Sequence, residues 1–197
     1  MPRPKSKRPW SEVVKAAPGP LALVQAFLNT DDGIRRLDEI GSPEALTGWL
    51  RHRKLVGAGF TATAEDVQRT HEVREALRTV IRAHHLGRLP EEAALRLNRE
   101  TETGAIRVLF APDGATRFEG ASDGVASALA QILAAFALGQ EAGLLTRFKI
   151  CDNPRCGRAY YDRSRNGRGR WCSMEICGNR AKANTRRRRA ARARASE

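Results

Sequence analysis

The four cysteines of this 197-residue chain lie within 27 residues near its C-terminal end, in the order C-x4-C-x15-C-x4-C. Two close pairs separated by a spacer of this length predict a tetrahedral zinc site, because each pair can turn both thiolates toward one ion. The alternatives are disulfide bonds, which need an oxidising compartment, or buried structural thiols. The predicted ligands of one structural zinc ion are Cys151, Cys156, Cys172 and Cys177.

The beginning of the chain favours reduced thiols. It reads MPRPKSKRPW, a basic and proline-rich segment that is not followed by the apolar run of a signal peptide. No apolar stretch of the sequence approaches the ~20 residues of a membrane-spanning helix. We therefore expect a cytoplasmic location, with residues 1–9 forming a disordered basic arm.

The residues between and after the cysteines predict how the metal site is built. Residues 157–162 contain two tyrosines and favour a strand, 164–169 are rich in turn-forming residues, and 170–172 are predicted to be the returning strand. Ser173 is a candidate helix N-cap, which places Cys177 in the first turn of a C-terminal helix. Together these elements predict a treble-clef-like zinc finger.

The same segment resembles the CGNR zinc-finger family. The matching strings are CDNPRC at 151–156, DRSRN at 162–166, RWCSM at 170–174 and CGNR at 177–180. Members of the family carry an upstream, largely helical ABATE domain that is described as a stress-induced transcription regulator. The string FLNT at 27–30 and the segment 46–50 are similar to the opening of that domain. The resemblance implies a bacterial DNA-binding regulator.

The positive charge of the chain is concentrated at its two ends. Residues 147–197 contain 16 Lys or Arg and 4 Asp or Glu, and the first nine residues contain four basic residues and no acidic ones. Residues 10–146, by contrast, have a net charge of −3. A basic block beside a metal site predicts a polyanionic partner, here double-stranded DNA. The alternative is a solvated, solubilising tail, and we expect residues 192–197 to be disordered in the free protein.

The candidate DNA contacts fall in the turn between the second and third cysteines and in the Ala- and Arg-rich segment after the fourth, which favours a helix. Contacts to phosphates supply affinity, whereas contacts to base edges supply sequence choice. The predicted set is Arg163, Arg165, Arg168, Arg170, Arg180, Lys182, Arg186, Arg187, Arg188 and Arg189.

Residues 10–146 have the length of one domain. Their apolar spacing and capping residues predict helices over 21–28, from Pro43, from Thr63 to Gly87, from Pro90 and over 123–145. Two short strands, 106–110 and 116–118, flank a Pro-Asp-Gly turn and predict a hairpin. The predicted fold class is therefore α+β and mainly α, with a helical N-terminal domain, one small β-hairpin and a zinc finger over 147–197.

Three residues of the helical domain are candidates for a small-molecule effector site. Asn29 lies in the string that resembles ABATE, and Trp49 and Arg74 offer a stacking face and an anion contact. The alternative roles are a helix C-cap for Asn29, a core position for Trp49 and a solvated face for Arg74. Dimerisation, which would present two fingers to two half-sites, is a second purpose for this domain.

No residue pattern predicts catalysis. The four histidines lack a metal-binding spacing, and a closed site of four thiolates has no open position for a catalytic water. We therefore expect a DNA-binding transcription regulator and not an enzyme. One alternative is RNA binding, with Tyr160, Tyr161 and Trp171 stacking on unpaired bases. Another is a protein–protein interaction module whose finger binds an acidic partner.

Overall fold

The structure is a computed structural model that describes residues 14–85, 87 and 90–195. Within these residues the chain is mainly helical, with three two-stranded antiparallel sheets. A 3-10 turn at Leu144–Thr146 and a π-helical turn at Met174–Gly178 supplement the regular elements. In chain order the elements are α1 (Leu21–Leu28), β1 (Asp31–Asp32), β2 (Leu37–Asp38), α2 (Pro43–His52), α3 (Ala64–His84), α4 (Glu91–Thr103), β3 (Ile106–Phe110), β4 (Thr116–Gly120), α5 (Val125–Glu141), β5 (Phe148–Ile150), β6 (Ala159–Tyr161) and α6 (Asn179–Ala195).

The helices begin at the capping residues that the sequence contains. The Ser42 hydroxyl accepts a hydrogen bond from the backbone N–H of Ala45 at 3.2 Å, with Pro43 at the first helical position. Thr63 and Asp66 form a reciprocal capping box at the start of α3. These local signals confirm the predicted starts of α2 and α3.

The apolar core lies among α1, α3 and α5. Leu21 and Phe27 of α1, Leu77 of α3 and Leu129 of α5 are fully buried in it. Helices α1 and α5 approach so closely that a Cβ at Gly139 would lie 2.4 Å from the Leu21 side chain. A glycine is therefore required at this crossing.

Two predicted boundaries are wrong. The helix predicted over 123–145 ends at Glu141, because Gly143 adopts a left-handed backbone conformation (φ 69°) before the 3-10 turn. The C-terminal helix, by contrast, continues to Ala195, well into the segment that was predicted to be disordered. The predicted basic arm at 1–9 and residues 196–197 lie outside the described residues.

The strand predicted over 157–162 is present as β6, but its predicted partner is wrong. β6 pairs with β5, with Phe148 opposite Tyr161 and Ile150 opposite Ala159, and not with residues 170–172. This pairing buries Phe148 and Ala159 in the same core as α1 and α3, which the Arg-Trp-Cys segment would not do. The backbone carbonyl of Arg170 accepts a single hydrogen bond from the Asp152 backbone N–H, at 2.9 Å, and no ladder forms between these segments.

The predicted fold class is confirmed, since a helical region with a small hairpin precedes a finger in which four cysteines cluster. Strands β3 and β4 form the predicted hairpin in the register that pairs Val108 with Phe118. No helix among the described residues is long and apolar enough to cross a membrane.

Candidate metal centre and nucleic-acid interface

Each cysteine is positioned by a different local structure. Cys151 follows β5, and Cys156 closes a tight turn in which its N–H donates to the Asn153 carbonyl at 2.8 Å. Cys172 lies in the loop before the π-helical turn, and Cys177 lies within that turn. Ser173 caps the turn by accepting a hydrogen bond from the Ile176 N–H, which confirms its predicted role.

The four sulfur atoms form one compact cluster. All of them lie within 4.8 Å of one another, with 3.6 Å between Cys156 and Cys172 and 3.8 Å between Cys172 and Cys177. Sulfur atoms arranged tetrahedrally at about 2.3 Å from one metal ion would be about 3.8 Å apart. These separations are too long for disulfide bonds, whose sulfur atoms are about 2.05 Å apart. The cluster therefore has the donor set and the dimensions of a four-thiolate metal site.

The four thiols shift one another's pKa values. Hydrogen bonds among them, first of all with Cys151, lower the pKa of Cys177 and raise the pKa values of Cys156 and Cys172. The pKa of Cys151 is lowered too, chiefly by its contact with Cys156. A central cation would supply the positive charge that four adjacent thiolates need.

Two N–H groups point at the sulfur atoms. The Asn153 side-chain amide donates to Cys177 Sγ at 3.4 Å, and the Cys172 backbone N–H donates to Cys151 Sγ at 3.5 Å. Donors of this kind orient ligands and stabilise negative charge around a metal centre. They face the two thiols whose pKa values are lowered, which is the arrangement expected of thiolate ligands.

The aromatic residues of the finger mostly form its small core. Tyr160 is 5% exposed, packs on the cysteine cluster, and donates its hydroxyl proton to the Gly169 carbonyl at 2.7 Å. Trp171 packs on the same cluster, and the Arg170 guanidinium lies over its ring. Tyr160 is therefore not available to stack on an unpaired base, which removes one of the three residues on which the RNA alternative depends.

Asp162 organises the loop that carries four of the predicted DNA-contacting arginines. Its carboxylate accepts hydrogen bonds from the backbone N–H groups of Ser164 and Gly169 and from Lys149 Nζ at 2.8 Å. Burial alone would raise the pKa of Asp162, but these hydrogen bonds, led by that from Lys149, hold it well below its usual range. The carboxylate therefore stays ionised and fixes the shape of the loop.

The four loop arginines differ in how far they are already engaged. Arg163 donates to the Ala16 carbonyl and lies over Tyr161, and Arg170 pairs with Asp152 at 2.7 Å. Arg165 and Arg168 are exposed on the turn itself. Two of the four arginine side chains are thus exposed on the turn, whereas the other two already contact groups within the protein.

The remaining predicted DNA contacts lie on α6, which begins directly after the π-helical turn that holds Cys177. The Asn179 side chain donates to the Glu175 carbonyl and joins the π-helical turn to α6. Lys182, Arg186 and Arg187 are exposed, and Arg180 is partly buried. The side chains of Arg188 and Arg189 lie outside the described part of the structure.

The three residues predicted to line an effector pocket have structural roles instead. Asn29 is the C-cap of α1, and its side-chain amide both accepts from and donates to the Ala159 backbone, at 2.8 and 3.0 Å. Arg74 is buried in a two-pronged ion pair with Asp38, and Trp49 packs against Phe27 in the core. The polar groups of Asn29 and Arg74 are thus already bound within the protein, as a structural role for these residues requires.

The residues that join the two regions were not predicted from the sequence. Arg158, between the first cysteine pair and β6, donates to the Asp32 carboxylate at 2.7 Å, and both side chains are buried. Arg78 of α3 is also buried, and it bonds Asp31 and the Leu28 carbonyl. The adjacent acidic residues Asp31 and Asp32 could have indicated these contacts, because carboxylates that become buried need cationic partners.

A helical region followed by a compact four-cysteine cluster and a basic helix is the architecture of a zinc-finger protein. In agreement, residues 147–190 match the family of the CGNR zinc finger. Residues 21–144 match the ABATE family, whose description is "Putative stress-induced transcription regulator". The second match covers more than half of the chain, which therefore belongs to the ABATE family, with a CGNR zinc finger after the ABATE domain. No curated protein matches the chain.

Proposed function

We propose that this chain is a DNA-binding transcription regulator whose finger is folded around one structural zinc ion. The observation that carries the proposal is α6, a 17-residue helix with eight Lys or Arg residues and no acidic residue, which begins at the cysteine cluster. The apolar residues of this helix are all alanines, so it has no face that would pack into a protein core. A basic helix of this kind suits the charged walls of a nucleic-acid groove.

Zinc fits the cluster best among the common metals, because it prefers four thiolates in a tetrahedron and has no redox chemistry of its own. Cys151, Cys156, Cys172 and Cys177 would hold it, and its charge would stabilise the two thiols whose pKa values are raised without it. The reduced thiols that such a site needs suit a cytoplasmic location. Four protein ligands fill the coordination sphere, so we infer a structural ion and a protein that is not an enzyme.

The dimensions of α6 support binding in the major groove. Seventeen residues extend for about 25 Å, and a major groove about 12 Å wide admits one helix. Phosphates flank such a helix on both sides, which matches a helix whose cations are distributed around its circumference. Arg180 and Lys182 lie nearest the finger, while Arg165 and Arg168 on the loop would contact the backbone.

In this proposal the helical region, up to residue 146, is regulatory, and the finger, from residue 147, binds DNA. That region would respond to an effector, form a homodimer that presents two fingers, or do both. Asn29 and Arg74 are already engaged in the fold, which favours an effector site elsewhere in the helical region.

The test is binding to duplex DNA as a function of salt, with two matched double variants. Arg186→Gln/Arg187→Gln removes two exposed cations from α6, and Arg82→Gln/Arg99→Gln removes two exposed cations from the helical region. We expect the α6 variant alone to reduce the slope of log K against log salt by about 2, since each neutralised phosphate contributes about 0.9. Equal effects of the two variants would contradict the proposal.

A selection from random pools tests the kind of nucleic acid. The full-length protein is presented with duplex DNA and with single-stranded RNA, and the bound sequences are counted. We expect enrichment in the DNA pool, because a helix reads a wide major groove and not the deep, narrow one of RNA. Enrichment in the RNA pool alone would overturn the DNA proposal, and retention of neither, with binding to an acidic protein, would favour the interaction module.

A further inference from the structure

A groove of about 620 Å³ lies in the helical region, where α1, the end of α2, β4 and α5 meet. Its volume is within the range of small-molecule sites, about 300–1,000 Å³. Neither Asn29, Trp49 nor Arg74 lines it. The groove is therefore distinct from the effector site that the sequence predicted.

The lining of the groove is largely apolar. Leu55 and Ala135 are buried at its base, while Phe118 and Leu138 remain 38% and 41% exposed along it. Exposed side chains of this size are costly in water, and a bound apolar group would cover both. The groove thus offers an alkyl chain or an aromatic ring a continuous surface.

The charges at the groove are mostly positive. Arg53, Lys54 and Arg117 line it together with one carboxylate, Glu119, which pairs with Arg117 at 2.8 Å. Among the described residues, no carboxylate forms an ion pair with Arg53 or Lys54; the Arg53 guanidinium lies over the Trp49 ring instead. Two cations are therefore left for an anionic ligand.

The backbone at the end of α2 adopts an unusual conformation beside the groove. Lys54 adopts a left-handed conformation (φ 57°), and the N–H of Leu55 closes the helix by donating to the Leu50 carbonyl at 3.0 Å. A glycine or asparagine is the usual residue at this position. The lysine thus carries a conformational cost at the position where a cation borders the groove.

A buried polar side chain also faces the groove. Gln131 is 9% exposed and lines it, and its amide nitrogen donates to the Leu55 and Ser127 carbonyls at 3.3 Å. This side chain is therefore held in one orientation at the groove by hydrogen bonds within the fold.

We propose that this groove binds a small amphipathic carboxylic acid, with its apolar part on Phe118 and Leu138 and its carboxylate on Arg53 and Lys54. The ligand would be the effector of the regulator, and in that respect the inference rests on the proposed function. Binding of the acid itself is measured without DNA, so the two proposals fail separately.

The probe is decanoate below its micelle-forming concentration, titrated calorimetrically into the full-length protein, with decanol as the neutral analogue. We expect decanoate to bind about tenfold more tightly than decanol, since charge-assisted contacts contribute a factor of this size or more. Equal affinities, or no binding of decanoate, would overturn the proposal.

Two pairs of matched variants locate the site. Leu138→Glu places a negative charge on the wall of the groove, and Leu95→Glu makes the same change at a leucine on α4, outside the groove, that is 51% exposed. We expect the first to weaken decanoate binding at least tenfold and the second to leave it unchanged. Similar effects of both would show that decanoate does not bind in the groove.

The second pair tests the charge at the unusual backbone position. Lys54→Asn removes the cation but tolerates the left-handed conformation, whereas Lys54→Arg keeps the cation. We expect about tenfold weaker binding in the first variant and native affinity in the second. Decanoate binding with no change in DNA affinity would establish the site and refute its regulatory role.

Discussion

The helical region and the finger are stabilised by different means. In residues 14–146, buried leucines and phenylalanines of three helices form one apolar core, and capping residues fix the helix starts. In residues 147–195, the interior consists of four thiols, a few aromatic residues and the polar network around Asp162. The first region can be stabilised by burial alone, whereas a unit as small as the second needs a metal ion.

The two regions nevertheless share one set of contacts. Phe148 of β5 and Ala159 of β6 belong to the apolar core of the helical region, although the strands flank the first two cysteines. Asn29 and Arg158 add polar bonds across the same boundary. The metal site and the helical core therefore stabilise each other through β5 and β6.

Loss of the metal should have the largest effect on stability and should destabilise both regions together. Cys177→Ser removes one thiolate, and zinc binding to small fingers contributes about 10–16 kcal/mol to folding at pH 7. We expect the zinc content of the purified protein to fall from one ion per chain toward zero. Calorimetry should show one unfolding transition for the whole chain, lowered by at least about 10 °C.

The control is Glu175→Gln, which changes an exposed side chain in the same π-helical turn and should keep both the zinc and the melting temperature. If Cys177→Ser gave two transitions, with the second at the native temperature, the helical region would fold independently of the finger. A disulfide found among the four cysteines of native protein would contradict the metal site itself.

The buried ion pair across the boundary should have the next largest effect. Arg158→Met removes the buried guanidinium partner of the Asp32 carboxylate and leaves the half-exposed Arg35, at 3.4 Å, which should cost about 2–3 kcal/mol. Arg170→Met breaks a pair of the same length, 2.7 Å, whose side chains are 69% and 44% exposed. Exposed pairs contribute about 1 kcal/mol or less, so urea unfolding should separate the two variants clearly. Equal losses would show that burial does not decide the strength of these pairs.

The sequence predicted the features that depend on neighbouring residues. The starts of α2 and α3 follow from Ser42 and Thr63, whose side chains bond the helix that they begin. The clustering of the cysteines followed from their spacing, because two short pairs can meet only if the chain between them turns back. Each of these signals is complete within a few residues of the element that it specifies.

The features that the sequence did not predict depend on distant residues. β6 was recognised as a strand, but its pairing with β5 depends on the burial of Phe148 beneath helices 60 or more residues earlier in the chain. Asn29 was predicted to contact an effector, yet its side chain bonds Ala159, 130 residues away. A polar side chain bonded to a distant backbone and one that awaits a ligand look the same in a single sequence.

The smallest predicted effects come from two glycines, one where the two regions meet and one inside α2. A Cβ at Gly33 would lie 2.5 Å from the Arg155 carbonyl oxygen in the finger, so Gly33→Ala forces backbone apart where the two regions meet. A Cβ at Gly48, inside α2, would have no atom within 4 Å, so Gly48→Ala only improves helix propensity. We expect urea unfolding to show a loss of about 2 kcal/mol for the first and a gain of about 1 kcal/mol for the second. Equal effects of the two substitutions would mean that the close approach of Gly33 to the Arg155 backbone does not contribute to holding the two regions together.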